Sequence, residues 1–279
     1  AEGSHVVGSL LEISSAIKMN DCHKLLQELH SLEEALWRLS SVCLPIMYTR
    51  SPEDHSLLCD PFLFFFYLRT YIGSTDVKME IDQEIQNWHL KGPSGAMSAI
   101  LPCVDSLLGI CNTSAELREA MKCFERYIPL AHRRFLDRLR DGTTVKMFIE
   151  SGRETMEQSA WYALAGAYNA CLSRVLDFRW RHWGFVEHFM VRPSSADCKS
   201  TSICPMATER SGNQPPLVGT GGTTFDYLQQ HITDSQVARI SIAPENASLR
   251  TPEPRCGVAP LPDLPPLEGL ALWDPTGQE

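Results

Sequence analysis

Apolar residues recur at steps of three and four along most of the chain, which is the spacing of one face of an α-helix. Residues 21–44 give the clearest example, because Leu25, Leu29, Leu32 and Leu36 repeat at this spacing. The pattern predicts helices at 7–18, 21–44, 62–72, 98–109, 114–128, 130–141, 144–151, 154–191 and 225–232. We find no strong strand run and no internal repeat. The predicted fold class is therefore all-α, a multi-helix domain with one long helix.

Local signals predict where several of these helices begin and end. Asp60 followed by Pro61 is typical of an N-cap and a first helical turn. The helix that follows is apolar on all sides and is expected to be buried. Pro193 is expected to end the long helix. Pro102 should kink the helix at 98–109 or mark its start.

Polar and proline-rich stretches divide the rest of the chain. Residues 194–216 are polar and rich in serine and proline, which indicates a loop. From Pro244 onward, proline and acidic residues prevail, which is typical of an irregular tail. The predicted organisation is a helical domain at 1–240 and a Pro-rich tail at 241–279.

Composition narrows the classes of function. A chain of 279 residues, 43% of them hydrophobic, can form one large domain that encloses a cofactor. The net charge of −9 argues against nucleic acid as a partner. The apolar run at 61–68 is too short for a membrane span, and residues 1–8 show no signal-peptide pattern, so a cytoplasmic location is expected. The 10 cysteines are expected to be reduced and mostly buried thiols.

The long helix holds the main candidate for chemistry, His182. It belongs to an apolar stripe and is predicted to point into the core, whereas His188 falls on another face and is expected to be solvated or capping. The stripe consists of Leu164, Tyr168, Cys171, Val175, Phe178, His182, Phe185 and Phe189. His182 is either a core imidazole bonded to a backbone carbonyl or an axial ligand of haem iron. Arg179, one turn earlier, either pairs with a haem propionate or forms an ordinary salt bridge. Spacing alone does not decide.

Six blocks, in order, resemble the indoleamine 2,3-dioxygenase family. The segment from Ala167 to His182 resembles the family's proximal helix. The others are Phe64-Phe65 followed by Leu68-Arg69, Pro93-Ser-Gly-Ala96, Val104-Asp-Ser-Leu-Leu-Gly-Ile110, Tyr127-Ile-Pro-Leu-Ala-His-Arg-Arg-Phe135 and Gly219-Thr-Gly-Gly-Thr223. Each block alone is a weak signal, but six in order, covering residues 8–232, are specific.

The resemblance implies a haem b site and a role for each matching residue. His182 would be the proximal iron ligand, with Arg179 and Asp105 forming an ion pair beside a propionate. Phe64 and Phe65 would line the distal pocket, and Arg69 would hold the substrate carboxylate. Ser94 would pack over the distal face, and Gly219, Thr220, Gly221, Gly222 and Thr223 would form a loop that closes on the substrate. The residues alone leave alternatives open. Phe64 and Phe65 are then ordinary core residues, Arg69 is a surface arginine, Asp105 is a surface carboxylate and the glycine run is a simple turn.

The resemblance also implies an activity. A haem enzyme of this family inserts both atoms of O2 into the C2=C3 bond of L-tryptophan or a related indoleamine, which opens the ring to N-formylkynurenine in tryptophan catabolism. One alternative is a haem enzyme that acts on another aromatic amino acid in secondary metabolism, and another is a non-catalytic haem-binding or signalling remnant. The family carries a small N-terminal domain, whereas this chain begins at the haem domain. We therefore expect a partner chain or a self-association surface.

Overall fold

A computed structural model describes residues 2–43, 59–81, 84–195, 219 and 223–242 of the chain. Within these ranges the fold is mainly α-helical, as predicted. The α-helices are α1 (Glu2–Met19), α2 (Cys22–Cys43), α3 (Pro61–Leu63), α4 (Arg69–Ile72), α5 (Ile100–Leu108), α6 (Ala115–Glu125), α7 (Leu130–Arg140), α8 (Val145–Ser151), α9 (Gln158–Val186), α10 (Arg192–Ser195) and α11 (Asp226–Val237). A π-helical turn at Phe64–Leu68 joins α3 to α4, a second at Glu187–Val191 joins α9 to α10, and a 3-10 turn at Gly95–Met97 precedes α5.

The hydrophobic core forms around α9. Helix α2 packs along α9 and against α1, while α8 and α11 also pack on α9. The predicted apolar face of α2 is buried, since Leu25, Leu29 and Leu32 are 0% exposed. On α9, Tyr168 and Cys171 are equally buried. Removing these side chains from water is the main contribution to the stability of such a bundle.

Local capping bonds set the helix ends. The Asp60 carboxylate accepts hydrogen bonds from the backbone N–H groups of Phe62 (2.8 Å) and Leu63 (2.9 Å), so the predicted N-cap is confirmed. Pro102 lies in the first turn of α5, where its missing N–H costs no intrahelical bond. Gly109 ends α5 with φ of 82°, a left-handed conformation that favours glycine.

The expectation of no strands is wrong for residues 75–90. Strands β1 (Thr75–Ile81) and β2 (Glu84–Leu90) form an antiparallel hairpin in which Val77 lies opposite Trp88. In β1, Val77, Met79 and Ile81 alternate with charged residues, which is a strand pattern that was overlooked because it is short. In β2 the alternation is broken, because Ile85 and Trp88 lie three residues apart. The side chains of β2 are exposed along its whole length.

The aromatic helix (residues 61–72) is not buried as predicted. Phe62 is 50% exposed and Tyr71 is 88% exposed, whereas Phe65 is 6% exposed. No other described segment covers the outer side of this helix, and its apolar residues on that side therefore remain accessible to solvent.

The long helix also differs from its predicted bounds. It begins at Gln158, because residues 152–155 form turns. Helical conformation continues past Pro193 to Ser195. Helix α11 has 12 residues and exceeds the predicted one or two turns. Most of the predicted loop at 194–216 and nearly all of the predicted tail lie outside the described residues.

The six cysteines whose side chains are described are free thiols, as expected, but they are not mostly buried. Cys103 and Cys171 are buried, Cys22, Cys59 and Cys123 are half-buried, and Cys111 is exposed. Among the helices described here, none is long and apolar enough to cross a membrane.

Candidate functional site

His182 lies near the end of α9, where the helix leaves the main core. The prediction that it points into this core is wrong, because its side chain is exposed. Desolvation nevertheless lowers the pKa of the imidazole, which means that protein atoms surround it closely. The lowered pKa favours the neutral imidazole, which is the form that binds iron.

The π-helical turn after α9 changes which residues face inward. His188 was expected to be solvated or capping, yet it is buried and its ring packs edge-on against Phe189 at 5.0 Å between centroids. A π-turn accommodates one extra residue, so positions beyond Val186 no longer follow the spacing of 3.6 residues per turn. The helical-wheel prediction therefore fails at His188.

The predicted distal phenylalanines pack against this end of α9. Phe64 makes edge-on ring contacts with Phe185 (6.0 Å) and Phe189 (5.7 Å). Phe65 joins Val186 and Met190 in a second hydrophobic cluster, separate from the main core. The structure thus brings the aromatic helix to within ring contact of residues that follow His182 on α9.

Arg69 lies beside this aromatic cluster. Its guanidinium lies over the Phe65 ring at 5.2 Å from the centroid, a cation–π contact. Burial lowers the pKa of Arg69, although the residue stays cationic at neutral pH. A half-buried cation next to aromatic rings can bind a ligand that combines an apolar ring with a carboxylate.

Helix α11 carries the end of the predicted glycine loop to the same region. Phe225 and Leu228 pack against the second hydrophobic cluster. The backbone N–H of Gly219 donates to the carbonyl of Thr223 at 2.8 Å, which closes a turn between the two ends of the loop. Thr220, Gly221 and Gly222 lie outside the described residues.

Arg179 and Asp105 form the predicted ion pair. One terminal nitrogen of Arg179, Nη2, donates to both Asp105 carboxylate oxygens, at 2.8 and 2.6 Å. The other, Nη1, donates to the backbone carbonyl of His231 (2.8 Å) and to the hydroxyl of Ser235. The protein therefore uses all four hydrogens on these two nitrogens, and only Nε–H remains for a propionate. The pair holds α5 and α11 against α9.

Sequence reasoning missed the polar residues of α11. The Asp234 carboxylate accepts from the Thr113 hydroxyl at 2.7 Å and from Gln230 at 2.9 Å. His231 contributes its carbonyl to Arg179, and its Nδ1 atom is buried without a hydrogen-bond partner among the described residues. The sequence pattern predicts a helix here, but it ends that helix at residue 232 and therefore leaves out Asp234.

Ser94 lies before α5, and a cavity lies between α6 and the start of α11. The Ser94 hydroxyl caps the 3-10 turn before α5 by accepting from the N–H of Ala96 at 3.3 Å. A cavity of about 440 Å³ is lined by Lys91, Glu116, Glu119, Ala120, Cys123, Thr223 and Tyr227. Of the predicted site residues it contains only Thr223, and its mixed charges do not match a flat apolar cofactor.

The region around His182 fits a haem group. The imidazole is accessible, and it makes no hydrogen bond to any residue in the described ranges, so both ring nitrogens are available. The aromatic rings of the second cluster lie beyond the same end of α9. Haem needs an imidazole ligand, apolar surface for its ring and polar groups at its edge, and this region offers each of them.

Comparison with known proteins identifies the family of the chain. The family model for indoleamine 2,3-dioxygenase matches residues 1–236. The chain is 24% identical over 274 residues to the indoleamine 2,3-dioxygenase of Saccharomyces cerevisiae, covering 88% of this chain and 57% of the relative. It is 26% identical over 241 residues to indoleamine 2,3-dioxygenase 1 of Rattus norvegicus, covering 83% of this chain and 54% of the relative.

A further relative has a different substrate in its name. The 6-hydroxytryptophan 2,3-dioxygenase of Fusarium equiseti is 26% identical over 231 residues, covering 79% of this chain and 52% of the relative. The chain thus spans about half the length of the relatives it matches. Since the family model covers most of the chain, this protein belongs to the indoleamine 2,3-dioxygenase family.

Proposed function

We propose that this chain is the haem-binding part of a dioxygenase that opens the indole ring of L-tryptophan or a related indoleamine. The observation that carries the proposal is an accessible, neutral imidazole at the end of α9, next to an aromatic cluster, in a chain whose family model covers residues 1–236. The substrates named for the relatives support an indole amino acid.

In this proposal His182 holds the iron of haem b from the proximal side. When bound, haem would supply the metal at which O2 is activated, with insertion of both oxygen atoms into the substrate. The Arg179–Asp105 pair fixes the neighbouring helices, and the Nε–H of Arg179 is available to a propionate. Because α5, α9 and α11 meet at this pair, it holds the backbone of α9 in place one turn before His182.

The substrate would bind between the aromatic helix and the end of α9. Phe64 and Phe65 provide apolar surface for an indole ring, and Arg69 provides a cation for the carboxylate. The loop from Gly219 to Thr223 would close over the amino acid and exclude water. Ser94 would line the distal face through the segment before α5. No side-chain general base is required for this chemistry.

A covering polypeptide is part of the proposal. The aromatic helix and the hairpin expose large apolar side chains, including Phe62 (50%), Leu63 (54%) and Trp88 (46%). Exposed apolar residues in such number are typical of an interaction surface. We expect a partner chain or a second copy of this chain to cover it. Sedimentation velocity tests this expectation, and a monodisperse monomer would count against it.

The decisive experiment is an absorption titration of the purified chain with haemin, followed by reduction under carbon monoxide. We expect a Soret band typical of histidine ligation, and its loss in His182→Ala. His132→Ala, which changes an exposed histidine on α7, is the matched control and should retain the band. Normal haemin binding by His182→Ala would refute the assignment of the iron ligand.

Substrate binding is tested by adding L-tryptophan or 6-hydroxytryptophan to the haemin-loaded chain. A spectral shift with one of them, followed by formation of the ring-opened product, supports the corresponding dioxygenase. Arg69→Ala should weaken amino-acid binding roughly tenfold or more without changing the haem spectrum, because it removes a charge-assisted hydrogen bond. A haem spectrum that no aromatic amino acid alters would favour the non-catalytic alternative.

A further inference from the structure

Helix α7 supplies none of the residues proposed for haem or substrate, although it belongs to the family block Tyr127–Phe135. Residues 126–140 carry five arginines and one aspartate, whereas the whole chain has a net charge of −9. Helix α7 is therefore a local concentration of positive charge on an acidic protein. Such a patch attracts anionic groups.

Most of these arginines have no acidic partner. Arg140 pairs with Glu125, and it also lies 3.8 Å from the carboxylate of Asp137. Both acidic residues near α7 are thus directed at Arg140. The remaining arginines form no ion pair with any residue in the described ranges; they are Arg126, Arg133, Arg134 and Arg138.

Three exposed residues form a ridge along α7. Leu130, Arg134 and Arg138 are four residues apart, so they lie on the same side of the helix and are called the arginine ridge here. Leu130 is 55% exposed. Like charges at this spacing destabilise a helix unless an anion lies between them. Arg133 flanks the ridge, and its Nε atom is buried with no hydrogen-bond partner among the described residues.

The chain contains a segment of complementary chemistry. Residues 260–274 have three carboxylate side chains and no lysine or arginine. Leu261, Leu264 and Leu267 recur among four prolines. Carboxylates form charge-assisted hydrogen bonds with guanidinium groups, and leucine side chains can remove Leu130 from water. Prolines reduce the conformational entropy that such a segment loses on binding.

The described chain also ends close enough for this segment to reach α7. The Tyr168 hydroxyl contacts the carbonyls of Leu108, the last residue of α5, and Ala238, the residue after α11, at 3.1 Å each. Helix α7 packs on α5, which is only about 13 Å long. Residues 243–259 can span up to about 55 Å. Covalent attachment gives the segment at 260–274 a far higher effective concentration than a separate partner has.

We propose that residues 260–274 bind to α7 of the same chain, with their carboxylates on the arginine ridge and their leucines over Leu130. The bound segment neutralises the unpaired arginines and covers an exposed apolar side chain. This face contains no residue of the proposed haem or substrate site, so the inference is independent of the proposed function.

Photo-crosslinking of the full chain tests the proposal. Leu267→p-benzoylphenylalanine places a photoreactive group in the segment, and peptide mass spectrometry after irradiation identifies its neighbours. We expect adducts with residues 126–140 in the fraction of monomer mass. Raising NaCl from about 0.1 M to about 1 M should reduce their yield, because the Debye length falls from about 10 Å to about 3 Å.

Charge reversal on the ridge should remove these adducts. In the same photoreactive chain, Arg134→Glu/Arg138→Glu should lower the yield about tenfold, because two attractive contacts become repulsive. Lys18→Glu/Lys78→Glu is the matched control, since it reverses two exposed lysines on α1 and β1, and it should retain the yield. Circular dichroism verifies that each variant is folded.

A charge swap completes the test. Adding Asp263→Arg/Glu268→Arg to the Arg134→Glu/Arg138→Glu chain should restore the adducts, because the opposite charges again face each other. Failure of this rescue would contradict the pairing of carboxylates with the ridge.

Three further outcomes would overturn the inference. They are adducts that join two molecules only, adducts that fall outside residues 126–140, and an unchanged yield in Arg134→Glu/Arg138→Glu. None of these measurements requires haem, so a failed haemin titration and a failed crosslinking experiment refute different claims.

Discussion

Removing one carboxylate tests the energetic role of the Arg179–Asp105 pair. The side chains are 4% and 13% exposed, and two charge-assisted hydrogen bonds of 2.8 and 2.6 Å join them. Asp105→Ala leaves the Arg179 guanidinium buried and uncompensated, with its bonds to Ser235 and the His231 carbonyl as the remaining contacts.

The expected loss is large for a single substitution. Breaking a buried ion pair by removing one partner costs about 3–5 kcal/mol. Two hydrogen bonds to a charged group, at about 1.5–3 kcal/mol each, give the same order. Because a domain is stable by only about 5–15 kcal/mol, this variant should be marginally folded. The double variant Asp105→Leu/Arg179→Met should recover much of the loss, since no unpaired charge remains.

Urea unfolding, followed by circular dichroism, measures these free energies without haem. Glu119→Ala is the control, because Glu119 pairs with Lys122 at 3.5 Å and both side chains are 70% exposed. The control should leave the unfolding midpoint within experimental error. If Asp105→Ala destabilises the chain no more than Glu119→Ala does, the Arg179–Asp105 pair does not stabilise the packing of α5 and α11 against α9. A double variant as unstable as the single one would contradict the unpaired-charge explanation.

Three further predictions concern the core and the helix ends. Tyr168→Phe should cost about 1–2 kcal/mol in urea unfolding, because its hydroxyl contacts the carbonyls of Leu108 and Ala238 at 3.1 Å each; an unchanged midpoint would show that these contacts contribute nothing. Iodoacetamide at pH 8 should modify the exposed Cys111 well before the buried Cys103, whose pKa is raised by burial to about 11, and peptide mass spectrometry that finds equal labelling would contradict the burial. Asp60→Ala should remove about 1 kcal/mol of capping energy and speed amide hydrogen exchange at Phe62 and Leu63, and equal exchange rates would refute the cap.

The helix content and most helix boundaries were predictable, since they depend on short-range information. Apolar spacing on α2 and on the first half of α9 identified side chains that are buried in the structure. Capping residues such as Asp60 and a terminal glycine such as Gly109 act on the backbone of their own turn. The family blocks identified the candidate residues, because they lie in a fixed order along the chain.

Errors arose where local geometry departs from the regular helix. Three consecutive residues of the π-turn at Glu187–Val191, His188 to Met190, are buried, so His188 is buried where helical spacing placed it on the surface. The aromatic helix was expected to be buried because all its sides are apolar, although burial depends on what packs over it. Hydrophobicity along a sequence does not contain that information.

The sequence by itself determined the all-α class, the caps, the apolar faces and the candidate residues, because each follows from neighbours within a few positions or from an ordered motif. Only the tertiary structure decided that His182 is accessible rather than in the core, and that Arg179 binds Asp105, Ser235 and the carbonyl of His231 together. Each partner lies more than fifty residues from Arg179 along the chain, and its distance from Arg179 depends on how α5, α9 and α11 pack. Helix packing is a property of the whole fold, and no local pattern encodes it.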